Sequence, residues 1–120
     1  MAKVLVADYD PAILDSLKMM LELSGYEVDT TVNGETMYKM EKDLPDLLLL
    51  DIWMSGQDGR DICKYLKHEQ HTKDIPIILI SASRDVMKSA HDAGADDFVT
   101  KPFEMDDLIA KIEMYLNKSN

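Results

Sequence analysis

Short apolar runs alternate along this chain with longer segments in which apolar residues recur every three or four positions. The short runs are typical of strands buried on both faces of a sheet, and the spaced pattern is typical of helices that bury one face. We therefore predict five strand–helix units in succession. The predicted strands occupy residues 3–7, 26–31, 44–50, 75–80 and 97–100.

Local signals place the ends of the first and last helices. Asp10 directly precedes Pro11, and an aspartate N-cap before a proline in the first turn favours a helix start. Gly25 follows the apolar stripe of this helix and is placed to stop it. The last helix, predicted at residues 105–116, carries the clearest apolar stripe of the chain.

Two further helices have weaker patterns. The second follows an Asn-Gly pair and is predicted to reach about residue 42, with Met37 and Met40 facing inward. The fourth is predicted at residues 86–92, with Met87 among its buried side chains.

Alternating strands and helices predict an α/β fold built on a parallel sheet. We expect a flavodoxin-like three-layer sandwich: a five-stranded parallel sheet of order 2-1-3-4-5 between two layers of helices, five helices in all. A chain of 120 residues suits one domain of this kind, which we expect to span residues 1–120.

Composition limits the classes of function. Hydrophobic residues make up 46% of the chain and charged residues 30%, as in an ordinary globular protein. Cys63 is the only cysteine, so no disulfide can form within the chain, and a reducing cytoplasm is the expected location. No apolar run approaches the roughly 20 residues of a membrane span, so no membrane partner is expected. The net charge of −10 argues against direct binding to nucleic acid.

Polar side chains follow several of the apolar runs. They are Asp8 and Asp10 after the first run, Asp51 after four leucines, Ser81 after the fourth strand and Lys101 after the fifth. The carboxyl ends of parallel strands meet at one edge of a sheet, where open α/β folds bind ligands. Strands one and three are neighbours in the expected order, about 4.8 Å apart, so Asp8 and Asp51 should converge.

These residue types suit phosphoryl transfer to a carboxylate. A carboxylate can attack phosphorus to form an acyl phosphate, and the reaction depends on cations around the phosphoryl oxygens. Two converging carboxylates can hold Mg²⁺, Ser81 can donate a hydrogen bond to a phosphoryl oxygen, and Lys101 can supply a fixed positive charge. Each residue alone has an ordinary explanation as a cap, a turn or a solvated surface. Their combination at neighbouring strand ends indicates a site.

In this combination the chain resembles the receiver domain of two-component response regulators, including the chemotaxis receivers. The resemblance covers the whole chain and rests on Asp51 eight residues before Gly59, the pair Ser81-Ala82 and the run Lys101-Pro102-Phe103. It implies a cis peptide bond before the proline of that run. The chain departs from the pattern at Ser55, where the family usually has proline, and this should loosen the loop after Asp51.

The resemblance also implies a role for each site residue. Asp51 would accept a phosphoryl group from a sensor histidine kinase, and Ser81 and Lys101 would bind that group. Ser81 and Phe98 would then act as the switch, changing the face formed by helix four, strand five and helix five. This face would meet a downstream protein or effector domain. Such a switch is not an enzyme, apart from weak self-phosphorylation from small donors and self-dephosphorylation.

The implied Mg²⁺ ligands are Asp8, Asp51 and the backbone carbonyl of Trp53. The family's second acid after strand one is normally a direct ligand, but Tyr9 stands in its place. Tyrosine has an ordinary pKa near ~10 and is a poor Mg²⁺ ligand, so we expect a weakened metal site. Asp10 is a further candidate ligand, although it is also predicted to be the N-cap of the first helix.

Two other functions stay open. A receiver-shaped protein-interaction module with an impaired metal site would act independently of phosphorylation, and Tyr9 favours this interpretation. A phosphatase with an aspartate nucleophile would explain the Asp-x-Asp sequence of residues 8–10. That class expects threonine or valine where Ala12 stands, and it usually needs a lid domain for which the chain has no room.

Overall fold

The computed structural model of the chain describes residues 2–54, 56–82 and 86–116. Within these ranges the strands are β1 (Lys3–Ala7), β2 (Glu27–Thr31), β3 (Leu47–Asp51), β4 (Trp53–Met54), β5 (Gln57–Asp58), β6 (Ile77–Ser81) and β7 (Asp97–Thr100). The helices are α1 (Pro11–Leu23), α2 (Glu35–Tyr38), α3 (Gly59–His68), α4 (Val86–Ala93) and α5 (Met105–Leu116).

The main sheet is parallel, with the strand order β2-β1-β3-β6-β7. Strands β4 and β5 form a separate antiparallel hairpin directly after β3, so β6 and β7 are the fourth and fifth strands of the main sheet. The predicted order 2-1-3-4-5 and the flavodoxin-like fold are therefore confirmed.

The four leucines of β3 divide the core into two layers. All four side chains are fully buried, and successive residues point to opposite faces of the strand. Leu47 and Leu49 pack in the cluster that contains the buried side chains of α1 and α5. Leu48 and Leu50 pack in the cluster that contains those of α2, α3 and α4. One strand thus carries both hydrophobic layers, and Asp51 ends it.

Two of the predicted helical details are wrong. Helix α2 ends at Tyr38 rather than near residue 42, because the next turn closes with bonds between residues three apart: Met40 N–H donates to the Met37 carbonyl at 3.4 Å. Met87 is 63% exposed, since Ala90 and Ala93 supply the buried stripe of α4. Among the described residues, no helix is long and apolar enough to cross a membrane.

Gly59 is the first residue of α3 and packs against the backbone at the end of β3. Its N–H donates to the Ile52 carbonyl at 2.6 Å. A Cβ atom on Gly59 would lie 2.8 Å from the Cα of Ile52 and closer still to the carbonyl oxygen of Asp51. The start of α3 and the backbone of Asp51 can therefore approach this closely only because position 59 has no side chain.

Gly59→Ala is expected to lower the free energy of unfolding by about 1–3 kcal/mol, because backbone atoms must move to admit the methyl group. Urea denaturation measures the change. Gly25→Ala is the control, since Gly25 has open space around it and a φ of 97°, so its cost arises from backbone conformation alone. A Gly59→Ala protein as stable as the wild type would contradict a steric requirement for glycine.

Candidate functional site

The predicted site residues at the strand ends lie at one edge of the main sheet. Asp8 directly follows β1, Asp51 is the last residue of β3, Ser81 is the last residue of β6, and Lys101 directly follows β7. The side chains of Asp8 and Asp51 are only 2% and 9% exposed. Buried carboxylates are costly unless they are paired and hydrogen-bonded, so the partners of these two define the site.

Lys101 is the shared partner of both carboxylates. Its Nζ donates to Oδ2 of Asp8 and to Oδ2 of Asp51, each at 3.1 Å. Backbone groups supply further bonds: Asp8 accepts from the N–H of Asp10 at 2.9 Å, and Asp51 accepts from the N–H of Trp53 at 3.3 Å. Two carboxylates and one ammonium group leave the trio with one net negative charge. Lys101 was expected to bind a phosphoryl group, and its bridge between the two carboxylates was not predicted.

The electrostatics of the trio are coupled. Burial raises the pKa of Asp51, the charge of Asp8 raises it further, and the hydrogen bond from Lys101 opposes both. Burial alone would lower the pKa of Lys101, but its bonds to Asp51 and Asp8 leave that pKa above its ordinary value. Lys101 therefore stays positively charged at neutral pH, whereas ionisation of Asp51 is less favourable than that of an exposed aspartate.

Backbone pairing between β6 and β7 places Ser81 next to Lys101. Ser81 pairs with Thr100 in the ladder between β6 and β7, and its carbonyl accepts the N–H of Lys101 at 2.8 Å. The Ser81 side chain is buried. The peptide bond between Lys101 and Pro102 is cis, as predicted.

A cleft of about 530 Å³ opens above the two carboxylates. Its lining residues are Asp8, Tyr9, Asp10, Pro11, Ile13, Asp51 and Lys101. Tyr9 is 62% exposed and belongs to the apolar part of this lining with Pro11 and Ile13. The Asp10 carboxylate accepts the N–H of Ala12 at 2.9 Å, which makes it the N-cap of α1, as predicted.

Trp53 stands outside the lining of this cleft, in the hairpin after β3. Its side chain is 62% exposed, and the guanidinium carbon of Arg60 lies 5.6 Å from the centroid of its ring. Arg60 donates to the Asp58 carboxylate at 2.7 Å, and this side-chain bond lowers the pKa of Asp58. Sequence reasoning missed this stack, although an aspartate two residues before an arginine at a helix start is a readable cap signal. Ser55 lies outside the described residues.

Phe98, the candidate switch residue, is half-buried on β7 and packs against the core layer of α2, α3 and α4. The Nζ of Lys111 lies 5.5 Å from the centroid of the Phe98 ring. Lys111 is itself held by Asp97 at 2.9 Å. The aromatic side chain thus lies between the core and a fixed cation from α5.

The donor set at this edge suits Mg²⁺ in chemistry but is small. Mg²⁺ is commonly held by one or two carboxylates together with waters and phosphate oxygens, and Asp8 and Asp51 supply two buried carboxylates. In the described part of the chain, no three His, Cys, Asp or Glu side chains form a group that could hold a metal ion. One oxygen of the Asp10 carboxylate is engaged in capping α1.

Comparison with known proteins extends these observations. The family model described as "Response regulator receiver domain" matches residues 4–113. The DNA-binding dual master transcriptional regulator RpaA of Synechocystis sp. is 33% identical, over 100% of this chain and 51% of that protein. The heme response regulator HssR of Staphylococcus aureus is 38% identical, over 100% of this chain and 54% of that protein. The chain spans about half the length of the curated relatives it matches.

Solved structures match over nearly the whole chain. The response regulator protein TrrA of Thermotoga maritima, solved in complex with Mg(2+)-BeF, has a TM-score of 0.85 and 36% identity, covering 97% of this chain and 100% of that chain. The chemotaxis response regulator CheY4 of Vibrio cholerae has a TM-score of 0.87 and 27% identity, covering 97% of this chain and 99% of that chain.

Proposed function

This chain belongs to the response regulator receiver domain family of two-component systems, and we propose that it is a phosphoacceptor switch that takes a phosphoryl group on Asp51 from a sensor histidine kinase. The observation that carries the proposal is the buried trio in which Lys101 bridges Asp8 and Asp51 at 3.1 Å each. A buried nucleophile beside a fixed cation suits transfer of an anionic group, because the cation offsets the charge of the incoming oxygens.

The transfer itself needs few protein groups. An Oδ atom of Asp51 attacks phosphorus, the bond from phosphorus to the donor's ring nitrogen breaks, and that nitrogen leaves with the electron pair. Lys101 stabilises the oxygens of the phosphoryl group in flight, and its position is held by the backbone bond from its N–H to Ser81. The hydroxyl of Ser81 donates to one of the same oxygens.

Asp8, Asp51 and the backbone carbonyl of Trp53 are the groups that would hold Mg²⁺. When bound, the ion supplies further positive charge to the phosphoryl oxygens. The Mg(2+)-BeF complex of TrrA, at 36% identity, supports the assignment by similarity. Asp10 is a secondary candidate ligand, since its cap bond to Ala12 uses only one of its oxygens.

The test is incubation with Mg²⁺ and phosphoramidate, followed by intact mass measurement and mapping of the adduct. We expect one phosphoryl group per chain, on Asp51. The absence of any adduct would favour the receiver-shaped interaction module, and continuous phosphate release without an adduct would favour a phosphatase.

The interaction module is the second candidate function, and the observation that favours it is Tyr9. In this structure the ring stands in the cleft lining where the family's second acid would contribute a charge. Such a module would dock its partner equally well before and after treatment with a phosphodonor.

Tyr9→Asp is expected to tighten Mg²⁺ binding about tenfold, because the ion relies on a small number of anionic oxygens and a factor of ten is only about 1.4 kcal/mol. Phosphorylation of Asp51 by phosphoramidate, a donor without a ring, should accelerate as well. A Mg²⁺ titration followed by the fluorescence of Trp53 measures the affinity, and Tyr9→Asn is the control that removes the ring without adding charge. Wild-type affinity equal to that of Tyr9→Asp would show that the missing acid is already replaced, with Asp10 as the replacement.

The output surface of the proposed switch is the face of α4, β7 and α5. Phe98 lies on this face under Lys111, so a change in the Phe98 side chain would alter the surface that a partner meets. The curated relatives are about twice as long as this chain and include a DNA-binding regulator. We propose that the chain controls a downstream protein or effector domain in the cytoplasm, without touching nucleic acid itself.

A further inference from the structure

The apolar part of the cleft lining, formed by Tyr9, Pro11 and Ile13, takes no part in the phosphoryl transfer described above. We propose that Tyr9 is a specificity-determining residue that stacks on the aromatic ring of the phosphodonor, so that Asp51 prefers phosphoryl groups carried on an imidazole nitrogen over those carried on non-aromatic donors. This inference rests on the proposed function and adds the residue by which the cleft recognises the donor's ring.

The position of Tyr9 is the first support. It lines the same cleft as Asp51 and Lys101, and 62% of its surface is exposed. A large aromatic side chain that remains open to solvent in a cleft wall offers a flat face to an incoming molecule. Aromatic pairs gain free energy beyond the area they bury, which a short aliphatic donor cannot match.

The rigidity of the wall is the second support. Residues on both sides of Tyr9 are fixed: the Asp10 N–H donates to Asp8 at 2.9 Å, and the Asp10 carboxylate caps α1 through Ala12 at 2.9 Å. Pro11 and Ile13 continue the apolar surface into the first turn of the helix. Because these bonds already hold the backbone around Tyr9, binding a ring costs only the rotamer freedom of the tyrosine side chain.

The charge of the site is the third support. Tyr9 stands where a carboxylate would be anionic, so the buried polar part of the lining holds the carboxylates of Asp8 and Asp51 together with Lys101. The third carboxylate of the lining, that of Asp10, caps α1. With fewer anionic oxygens the cleft binds a divalent cation less tightly, and the electrostatic attraction of any phosphodonor to the cleft is weaker. Contacts with the part of the donor that carries the phosphoryl group therefore contribute a larger fraction of the binding free energy. A tyrosine ring makes its most favourable contacts of this kind with another aromatic ring.

The experiment compares three small donors on the full chain with Mg²⁺: phosphoimidazole, phosphoramidate and acetyl phosphate. Phosphoramidate breaks a phosphorus–nitrogen bond without a ring, and acetyl phosphate is an acyl phosphate. The apparent second-order rate of Asp51 labelling is read by quenched intact mass. Intrinsic differences in donor reactivity cancel when the ratio of two donors is compared between variants.

We expect Tyr9→Leu to reduce the rate ratio of phosphoimidazole to phosphoramidate about two- to tenfold, the factor that one aromatic pair provides. The ratio of phosphoimidazole to acetyl phosphate should fall in the same way. Tyr9→Phe keeps the ring and should keep both ratios. Leu23→Ala is the control, because Leu23 is 77% exposed at the far end of α1, the helix that follows Tyr9, and should change neither ratio.

The outcomes separate this inference from the function on which it rests. If all three donors label Asp51 and Tyr9→Leu leaves both ratios unchanged, the aromatic contact is overturned while the phosphoacceptor function stands. If no donor labels Asp51, both are overturned. A urea titration of Tyr9→Leu verifies that it is as stable as the wild type, as expected for an exposed position.

Discussion

Replacement of Asp51 by asparagine is expected to abolish phosphoryl acceptance while leaving the protein as stable as the wild type or more stable. The amide cannot form an acyl phosphate, so labelling should fall below detection with every donor. Its stability follows from the electrostatics, because burial and the charge of Asp8 raise the pKa of Asp51 and make its charged form unfavourable in the folded state. Asparagine removes that charge and leaves Lys101 paired with Asp8.

The pH dependence gives this prediction a second check. A carboxyl group whose pKa is higher folded than unfolded binds more protons in the folded state, so stability falls as pH rises from the unfolded pKa through the folded one. Wild-type stability should therefore decline over that interval more than the stability of Asp51→Asn does. Urea denaturation at several pH values measures both proteins. A marked loss of stability in Asp51→Asn near neutral pH would mean that Asp51 is a structural residue.

Replacement of Lys101 by methionine is expected to destabilise the protein by about 3 kcal/mol near neutral pH, since removal of one partner leaves buried charges uncompensated. The side chains of Asp8 and Asp51 are almost fully buried, and their shared cation comes from Lys101. Methionine retains the length and apolar stem of the lysine, so the loss reports on the charge. Labelling of Asp51 should slow as well, because the phosphoryl oxygens lose a fixed cation.

The loss in Lys101→Met should shrink under acid conditions. Without the ammonium group nothing opposes burial and the charge of Asp8, so the folded-state pKa of Asp51 rises further and the folded protein holds this proton more tightly than the unfolded chain. The stability difference from the wild type should therefore widen as pH rises from acid to neutral. Lys111→Met is the control, because this partly exposed cation pairs with a single carboxylate, that of Asp97, among the described residues. An equal loss in both variants, independent of pH, would show that the bridge has no special energetic role.

The sequence was most informative where the hydrophobic pattern was strong. Four leucines in succession favoured a strand buried on both faces, and this placed Asp51 at the end of the central strand. Because parallel strands end at one edge, the predicted parallel sheet already placed Asp8 and Lys101 at the same edge as Asp51. The cap at Asp10 and the start of α1 were equally local and equally readable.

Features that depend on tertiary packing were not predictable in the same way. The end of α2 at Tyr38 and the exposure of Met87 depend on which side chains the neighbouring elements admit, which periodicity does not show. The bridge from Lys101 to two carboxylates requires distances that no spacing along the chain contains. The stack of Trp53 on Arg60 likewise arises from a short hairpin that was not predicted.

The complete burial of the leucines in β3 has a consequence for measurements on this protein. This strand is hydrogen-bonded on both sides, to β1 and to β6, so its amide hydrogens are shielded from solvent by both neighbours. Their isotope exchange is limited by opening of the whole fold rather than by local fraying. We therefore expect slowly exchanging amides directly before Asp51, and their rates should report the free energy that any group bound at the end of the strand adds to the folded state.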